Sequence, residues 1–268
     1  MTSGSRHPAA WMPLLGSLTT EEVKEILANP PTVVLVPIGS IEPHGPHLPL
    51  STDLTISEVA CLRAARRLVE KDVDVYLAPA VPYGVTDFAD GFAGAIGVPA
   101  AVLTAYLEAI VMKLLKDGWS HVCLVNNHLE PGHDEAVRMA IAKAPKGAAS
   151  VACPLTRRWA RTLSDEFKRG DCHAGRYETS LALAAGARVH DEYRSLPKVS
   201  VSLSDEIKAG RSRFRDMGLD RAYTGAPAEA THDEGDELFD RLAEMIVAEI
   251  TEGLAARESS IAKDGASR

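Results

Sequence analysis

Histidine and carboxylate side chains are concentrated in two short segments, residues 39–53 and 126–133, and each segment directly follows an apolar run. In both segments a glutamate and a histidine are separated by one residue, so that both side chains lie on one side of an extended chain. Two such pairs and one bridging aspartate would hold two divalent ions, and mixed imidazole and carboxylate ligands suit Zn²⁺ or Mn²⁺. Solvated loop groups are the alternative interpretation. The side chains concerned are Glu42, His44, His47, Asp53, His128, Glu130 and His133.

A third segment, residues 171–180, opens a predicted helix, so that backbone N–H groups and the positive end of the helix dipole face whatever lies there. His173 is a candidate acid–base or substrate-polarising group, and Glu178 could orient a ligand or His173 itself. Arg176 and Tyr177 could contact a carboxylate or a ring of the substrate. A capped helix start that exposes these side chains on the surface is an equally supported interpretation.

Short β-branched runs alternate with longer segments whose apolar residues recur at helical spacing, which predicts an α/β fold with a mostly parallel sheet and helices on both faces. Ligands of such sheets bind beyond the carboxyl ends of the strands, where both metal-type segments begin. The polar stretch 195–231 is predicted to lie near the site. We expect one domain over residues 9–258 and flexible tails at 1–8 and 259–268. The predicted strands are 33–38, 73–78, 121–125 and 150–153, and the predicted helices are 54–70, 100–116, 134–144, 157–168, 173–187 and 234–256.

The composition excludes several classes of protein. The 268 residues are 46% hydrophobic and 25% charged, with a net charge of −8, which is typical of a globular protein with an acidic surface. Such a surface repels phosphate backbones, so we expect no nucleic-acid partner. No apolar run approaches the roughly 20 residues that cross a bilayer, and no signal peptide is recognisable, which predicts a soluble cytoplasmic protein without membrane association. Cys61, Cys123, Cys153 and Cys172 show no CxxC spacing and are expected to be reduced thiols.

Three stretches of the sequence, PIGSIEPHGPHLPLSTD, NNHLE and HAGRYETS, resemble in this order the signature segments of the creatininase (creatinine amidohydrolase) family. The resemblance covers about residues 33–187 and implies the three-layer α/β/α sandwich of that family. It also implies two divalent metal ions per chain, zinc and/or manganese with iron in some members, and a homo-oligomer that is commonly a hexamer. The implied ligands are Glu42 and His128 for one ion, His44 and Glu130 for the other, and Asp53 as the bridge.

Several positions depart from the pattern of creatininase itself. Leu129 stands where creatininase has a tyrosine, and residues 168–171 do not match its Trp-Asp pair before the catalytic histidine. The run 82–95, which includes Thr86, lacks a histidine that the family carries there. Retained ligands beside changed substrate contacts predict the same hydrolytic chemistry on a substrate other than creatinine. The residues predicted to contact the substrate or support the ligands are Thr86, Leu129, Arg176, Tyr177 and Glu178.

The resemblance predicts an amidohydrolase that uses metal-activated hydroxide to open a small, lactam-like cyclic amide, a C–N bond other than a peptide bond. His173, in the position of the family's catalytic histidine, or Glu130 would pass a proton to the leaving nitrogen. A linear formamide deformylase or a short-peptide peptidase is the alternative, because peptidases of this family share the HAG-x-x-ETS pattern. A non-catalytic binding protein is disfavoured because all five ligand types are present. The roles of His47, His133 and Cys172 stay open, although adjacent side chains at a helix start diverge, which disfavours a Cys172 nucleophile beside His173.

Overall fold

A four-stranded parallel sheet forms the centre of the computed structural model, which describes residues 14–266. Its strands are β1 (Thr32–Ile38), β2 (Asp74–Leu77), β3 (His121–Asn126) and β4 (Ala149–Ala152). The spatial order is β2-β1-β3-β4, and Val33 of β1 lies opposite Val75 of β2 on one side and His121 of β3 on the other. The predicted strands and their parallel pairing are therefore confirmed, with each boundary within one residue.

Helices cover both faces of this sheet. They are α1 (Thr20–Leu27), α2 (Thr52–Val69), α3 (Ala100–Asp117), α4 (Pro131–Ala140), α5 (Arg157–Ala160), α6 (Asp165–Arg169), α7 (Arg176–Ala184), α8 (Leu203–Lys208) and α9 (His232–Ala266). Leu35 and its same-face neighbours pack against α2, α7 and α9, whereas Val34 and Val36 pack against α1, α3 and α4. Because both faces are covered, the strands are apolar throughout. The predicted three-layer α/β/α sandwich is thus the observed fold.

After the two central strands, the chain continues to opposite faces of the sheet. β1 continues into α2 on one face of the sheet, and β3 continues into α4 on the other face. A crevice forms beyond the carboxyl ends of two neighbouring parallel strands when the segments that follow them lie on opposite faces of the sheet. The loop of residues 39–51 and the loop of residues 127–130 border this crevice, so the fold brings together the two segments rich in histidine and carboxylate.

The predicted helix 157–168 is two short helices, because Ser164 caps α6 by accepting a hydrogen bond from the Phe167 backbone N–H at 3.2 Å. The final helix, α9, continues to Ala266, beyond the predicted domain end at residue 258. The predicted tail 1–8 and residues 267–268 lie outside the described residues. Among residues 14–266, no helix is both long and apolar enough to cross a membrane.

His121 begins β3, at the end of the sheet opposite the crevice. Its buried ring allows the packing of the core to be tested by the pH dependence of stability. Its ring is fully buried, with Nδ1 2.9 Å from the Gly147 carbonyl oxygen and Nε2 2.9 Å from Ser150 Oγ. Burial lowers the pKa of His121 to about 4 from its usual value of 6.5. The folded protein therefore keeps this ring neutral at pH values where an unfolded chain protonates it.

The stability that neutral His121 contributes is complete above pH 6.5 and is lost as the pH falls toward 4, because only the unfolded state gains a proton there. Between these two pH values we expect the wild-type protein to lose about 3 kcal/mol more unfolding free energy than His121→Gln, which keeps a hydrogen-bond donor. Urea unfolding across this range measures the difference. Parallel losses in the two proteins would contradict the burial of a neutral imidazole.

Candidate metal centre

Asp53 reaches the crevice because α2 starts directly against the end of β1. Gly39 follows β1, and a Cβ at this position would lie 2.7 Å from the Leu54 nitrogen and 2.8 Å from the Asp53 Cβ. These distances are too short for any side chain, so glycine is what permits the close approach. Asp53 lies in the first turn of α2, whereas Glu42 and His44 lie in the preceding loop. All three of these polar side chains are buried.

His128 follows β3, and a backbone carbonyl sets the orientation of its ring. Nε2–H donates to the Val85 carbonyl oxygen at 2.6 Å, so the lone pair of the neutral ring is on Nδ1. This Nδ1 lies 3.2 Å from Glu42 Oε1 and 3.1 Å from Asp53 Oδ2. Burial alone would lower the pKa of His128, but Glu42 and Asp53 raise it well above its usual range. A cation between these atoms would stabilise all three groups.

His44 is held in the same way. Its Nδ1–H donates to the Glu42 carbonyl oxygen at 3.1 Å, and its Nε2 lies 3.1 Å from Asp53 Oδ1 and 3.6 Å from Glu178 Oε2. Burial opposes a charge on His44, yet Asp53 and Glu178 raise its pKa to about 10. Burial likewise opposes ionisation of Asp53, but His44 and His128 hold the pKa of this carboxyl well below its usual range. Asp53 is therefore a carboxylate whose two oxygens face two different histidines.

Three overlapping groups of possible metal ligands result, and within each group the ligand atoms lie within 4.8 Å of one another. Two carboxylate oxygens in these groups, Glu42 Oε2 and Asp53 Oδ2, are buried without a hydrogen-bond partner among the described residues. A buried, unpaired carboxylate oxygen is costly unless a cation neutralises it. Imidazole and carboxylate donors without thiolates fit Zn²⁺ or Mn²⁺. The groups are Glu42–Asp53–His128, His44–Asp53–Glu178 and Glu42–His44–His173.

His173 lies at the edge of this cluster. Its Nε2–H donates to the Pro43 carbonyl oxygen at 3.1 Å, and its Nδ1 lies 3.9 Å from Glu42 Oε1. Burial and the nearby His44 lower the pKa of His173 to about 4, so the ring is neutral at neutral pH. The lone pair on Nδ1 therefore faces the carboxylates of the cluster.

Glu178 occupies the place beside His44 that was predicted for Glu130. Its Oε2 accepts a hydrogen bond from the Ala174 backbone N–H at 2.7 Å, which fixes the carboxylate near His44. Burial raises the pKa of Glu178 to about 8, and the nearby Asp53 adds to this increase although His44 opposes it. A shared cation would remove this repulsion. Glu178 thus lies among the groups that could hold a metal ion.

Glu130 lies apart from the three groups, so its role as a metal ligand stays a prediction. Its carboxylate accepts hydrogen bonds from the backbone N–H groups of Asp87 at 3.1 Å and Phe88 at 3.2 Å. These bonds hold it near His128 Nε2, at 4.0 Å, whereas the nitrogen of that ring that faces Glu42 and Asp53 is Nδ1. Burial raises the pKa of Glu130 to about 7. This pKa suits the proton transfer that was also predicted for Glu130.

Arg176 and Tyr177 contact other parts of the protein. Arg176 Nε pairs with Glu234 of α9 at 2.6 Å, and the Tyr177 ring packs against Phe167 at a centroid distance of 4.9 Å. Successive helical residues point about 100° apart, so the rotation that directs Glu178 toward the cluster directs the two preceding side chains elsewhere. Neither residue lines the cavity beside the cluster, and their contact with a substrate stays a prediction.

The three residues whose roles were open support the cluster or the core. The His133 ring packs against His128 at 4.6 Å, and its Nδ1 accepts a backbone N–H bond at 3.2 Å. His47 Nε2 lies 2.8 Å from Thr179 Oγ1, which connects the first ligand loop to α7. Burial, with Glu178 nearby, raises the pKa of the Cys172 thiol well above its usual range, the opposite of what a nucleophilic thiolate requires. All four cysteines are free, as expected, and all four are buried.

A cavity of about 670 Å³ extends from the cluster, at Glu42 and Asp53, to the surface at Met139 and Lys208. Thr86, a predicted substrate contact, is buried instead beside Gly97, where a Cβ would lie 2.5 Å from Thr86 Oγ1. Leu129 lines the cavity, and its contact with a substrate stays a prediction. The apolar walls include Phe88, Leu129, Met139, Leu155, Ile207 and Phe214.

Phe214 is a residue of the site that the sequence analysis missed. It lies in the polar stretch 195–231, and its ring stacks on His173 with the centroids 4.4 Å apart. The only signal available was a single aromatic residue between Arg213 and Arg215. Such a residue in a charged segment indicates a local packing contact but does not identify the partner.

A buried histidine–carboxylate cluster at the carboxyl edge of an α/β/α sandwich is the arrangement of a candidate metal-binding site. A sequence profile described as creatinine amidohydrolase matches residues 16–250. The mycofactocin precursor peptide peptidase of Mycobacterium tuberculosis (strain ATCC 25618 / H37Rv) is 30% identical over 244 residues, which are 85% of this chain and 88% of that protein. The chain therefore belongs to the creatininase family of hydrolases.

Solved structures of creatininase share the fold. A zinc–zinc form of a mutant creatininase matches with a TM-score of 0.71 and 18% identity, over 91% of this chain and 99% of the other. A manganese form matches with a TM-score of 0.67 and 20% identity, over 90% and 98% of the two chains. The higher identity to a peptide peptidase than to these creatininases agrees with the prediction that this chain is not creatininase itself.

Two amide substitutions separate the contributions of Glu178 and Glu130. Glu178→Gln removes a charged oxygen that faces His44, so we expect metal affinity to fall by more than the roughly 100-fold that loss of a supporting group can cause. Glu130→Gln is the matched control, and metal affinity should change little. Titration with Zn²⁺ against a competing chelator measures both. The assignment of Glu178 fails if Glu130→Gln causes the larger loss.

Proposed function

We propose that this protein is a divalent-metal-dependent hydrolase that cleaves an amide bond in a short, linear and largely apolar peptide. The observation that carries the proposal is the cavity of about 670 Å³ beside the cluster. Cavities of this size hold drug-sized ligands, and a small lactam would fill only part of the space. The apolar walls suit peptide side chains, while the amide itself would lie at the histidine–carboxylate end.

The relative from Mycobacterium tuberculosis supports the linear peptide, because it is described as a peptide peptidase and matches most of this chain. A cyclic amide, which the sequence analysis placed first, is the second candidate. The description of the family profile as creatinine amidohydrolase favours it. Both candidates require the same attack on an amide carbonyl and differ in what the cavity must accommodate.

We further propose two ions per chain, zinc or manganese. One would be held by Glu42, Asp53 and His128, and the other by His44, Asp53 and Glu178, so that Asp53 is shared. Support comes from the ligand groups and from the zinc and manganese forms of the creatininase structures. When bound, such ions act as Lewis acids that activate water and polarise a carbonyl.

Two side chains of the protein would accept and donate the protons of the reaction. His173 keeps a lone pair on Nδ1 toward the cluster and can accept a proton there. Glu130 lines the cavity, and its pKa of about 7 allows it to deliver a proton to the leaving nitrogen near neutral pH. The apolar walls exclude water from the amide, which strengthens each of these interactions.

The substrate class is tested with a panel of short apolar peptides, N-formyl amines, five-membered lactams and cyclic imides, each incubated with the Zn²⁺- or Mn²⁺-loaded protein. We expect cleavage of peptides, seen by mass spectrometry as two fragments whose masses sum to the peptide plus water. Ring opening of a lactam with intact peptides would overturn the peptide assignment in favour of the cyclic amide. A protein that retains no metal and turns over no member of the panel would support the binding-protein alternative.

Two histidine variants separate metal binding from proton transfer. His128→Ala removes a ligand, so metal content and activity should be lost together. His173→Gln should retain the metal and lower kcat by roughly 100-fold to 10,000-fold, the usual range for loss of a general acid or base. Elemental analysis and circular dichroism of both variants accompany the kinetics. A folded, metal-free His128→Ala protein with full activity would exclude the proposed chemistry.

A further inference from the structure

The polar stretch after α7 carries an aromatic ring that lies directly against His173. Phe214 begins the 3-10 turn Phe214–Met217, and only 3% of its surface is exposed. Its ring stacks on the His173 imidazole with centroids 4.4 Å apart and an interplanar angle of 27°. We infer that Phe214 is a positioning residue that sets the orientation of the His173 ring.

His173 requires this support because, among the described residues, its ring has a single hydrogen-bond partner. That bond joins Nε2 to the Pro43 carbonyl oxygen at 3.1 Å. Rotation about one bond would swing Nδ1 away from Glu42 Oε1, which now lies 3.9 Å from it. The His44 ring at 4.7 Å and the Phe214 ring at 4.4 Å restrict this rotation. The two neighbouring rings thereby keep Nδ1 toward the cluster.

Phe214 is itself held on both sides along the chain. Arg213 pairs with Asp90 at 3.1 Å, and Arg215 Nη2 donates to the Gly91 carbonyl oxygen at 3.0 Å. These bonds fasten the turn to the loop that follows β2. Exposed ion pairs contribute little stability on their own. The consequence of these two contacts is therefore the position of the Phe214 ring between them.

Phe214 also lies on the cavity wall, so its role extends beyond packing in the core. Its ring meets Phe88 edge-to-face at a centroid distance of 5.9 Å, and both residues line the cavity. None of the three motif segments contains either phenylalanine. The ring that orients His173 therefore belongs to a part of the chain outside the signature motifs.

Nuclear magnetic resonance of the zinc-loaded protein tests the stacking without a substrate. Protons over the face of a phenyl ring resonate upfield, so Phe214→Leu should move the His173 ring protons downfield, whereas Phe214→Tyr should leave them in place. His173→Gln identifies these resonances. Zinc content should equal that of the wild type in both Phe214 variants.

Phe92→Leu is the matched control. It makes the same change in the same aromatic cluster, but the Phe92 ring contacts Phe214, at a centroid distance of 6.4 Å, rather than His173. We expect the His173 resonances to stay close to their wild-type positions in this variant. Unmoved resonances in Phe214→Leu, or an equal movement in Phe92→Leu, would overturn the inference.

A kinetic measurement, which rests on the proposed peptide hydrolysis, uses a panel peptide that the wild-type protein cleaves. Phe214→Leu should lower kcat by roughly 10-fold to 100-fold and change KM by a smaller factor, because a misplaced group slows the reaction more than it weakens binding. Phe214→Tyr should restore the rate. An equal loss of kcat in Phe92→Leu would contradict the inference. If no peptide is cleaved, the proposed function fails, while the resonances still decide the role of Phe214.

Discussion

The structure depends on one constraint, which is that backbone carbonyls fix the ring orientation of three buried histidines. A carbonyl oxygen can only accept a hydrogen bond, so in each neutral ring the other nitrogen carries the lone pair. Those nitrogens face buried carboxylates, two of whose oxygens lack a hydrogen-bond partner among residues 14–266. Away from water these carboxylates need a positive charge beside them, either a proton on His44 or His128, whose pKa values the carboxylates raise, or a metal ion in its place. The same contacts that orient the rings therefore also create a candidate site for an ion. The rings are those of His44, His128 and His173, and the carbonyls are those of Glu42, Val85 and Pro43.

The fold brings these groups together at the carboxyl ends of β1 and β3, where the chain continues to opposite faces of the sheet. Gly39 lets α2 start against the end of β1, which places Asp53 between two histidines. The loop after β2 has two roles. The Val85 carbonyl orients His128, and the backbone N–H groups of Asp87 and Phe88 hold Glu130. Such support by backbone groups is rigid, since it does not depend on the rotamers of exposed side chains.

The cluster and the cavity walls come from different parts of the sequence. The motif segments supply the ligand cluster, whereas the walls of the cavity come largely from outside them, including α4, α8 and the turn at Phe214. This division allows one hydrolytic centre to accept different substrates, because wall residues change without disturbing the ligands.

From the sequence alone follow the parallel α/β/α architecture, the strands to within one residue, and the segments that carry the cluster, because apolar periodicity and strand-end position are local properties. The tertiary structure decided that Glu178 rather than Glu130 lies beside His44, that Arg176 and Tyr177 point away, and that Phe214 meets His173. The turn at Ala174, with a positive φ of 48°, and the contact between residues about forty positions apart arise from the packing of distant segments. Side-chain spacing cannot reveal them, since a ligand is defined by where its oxygen lies in space and not by its distance along the chain.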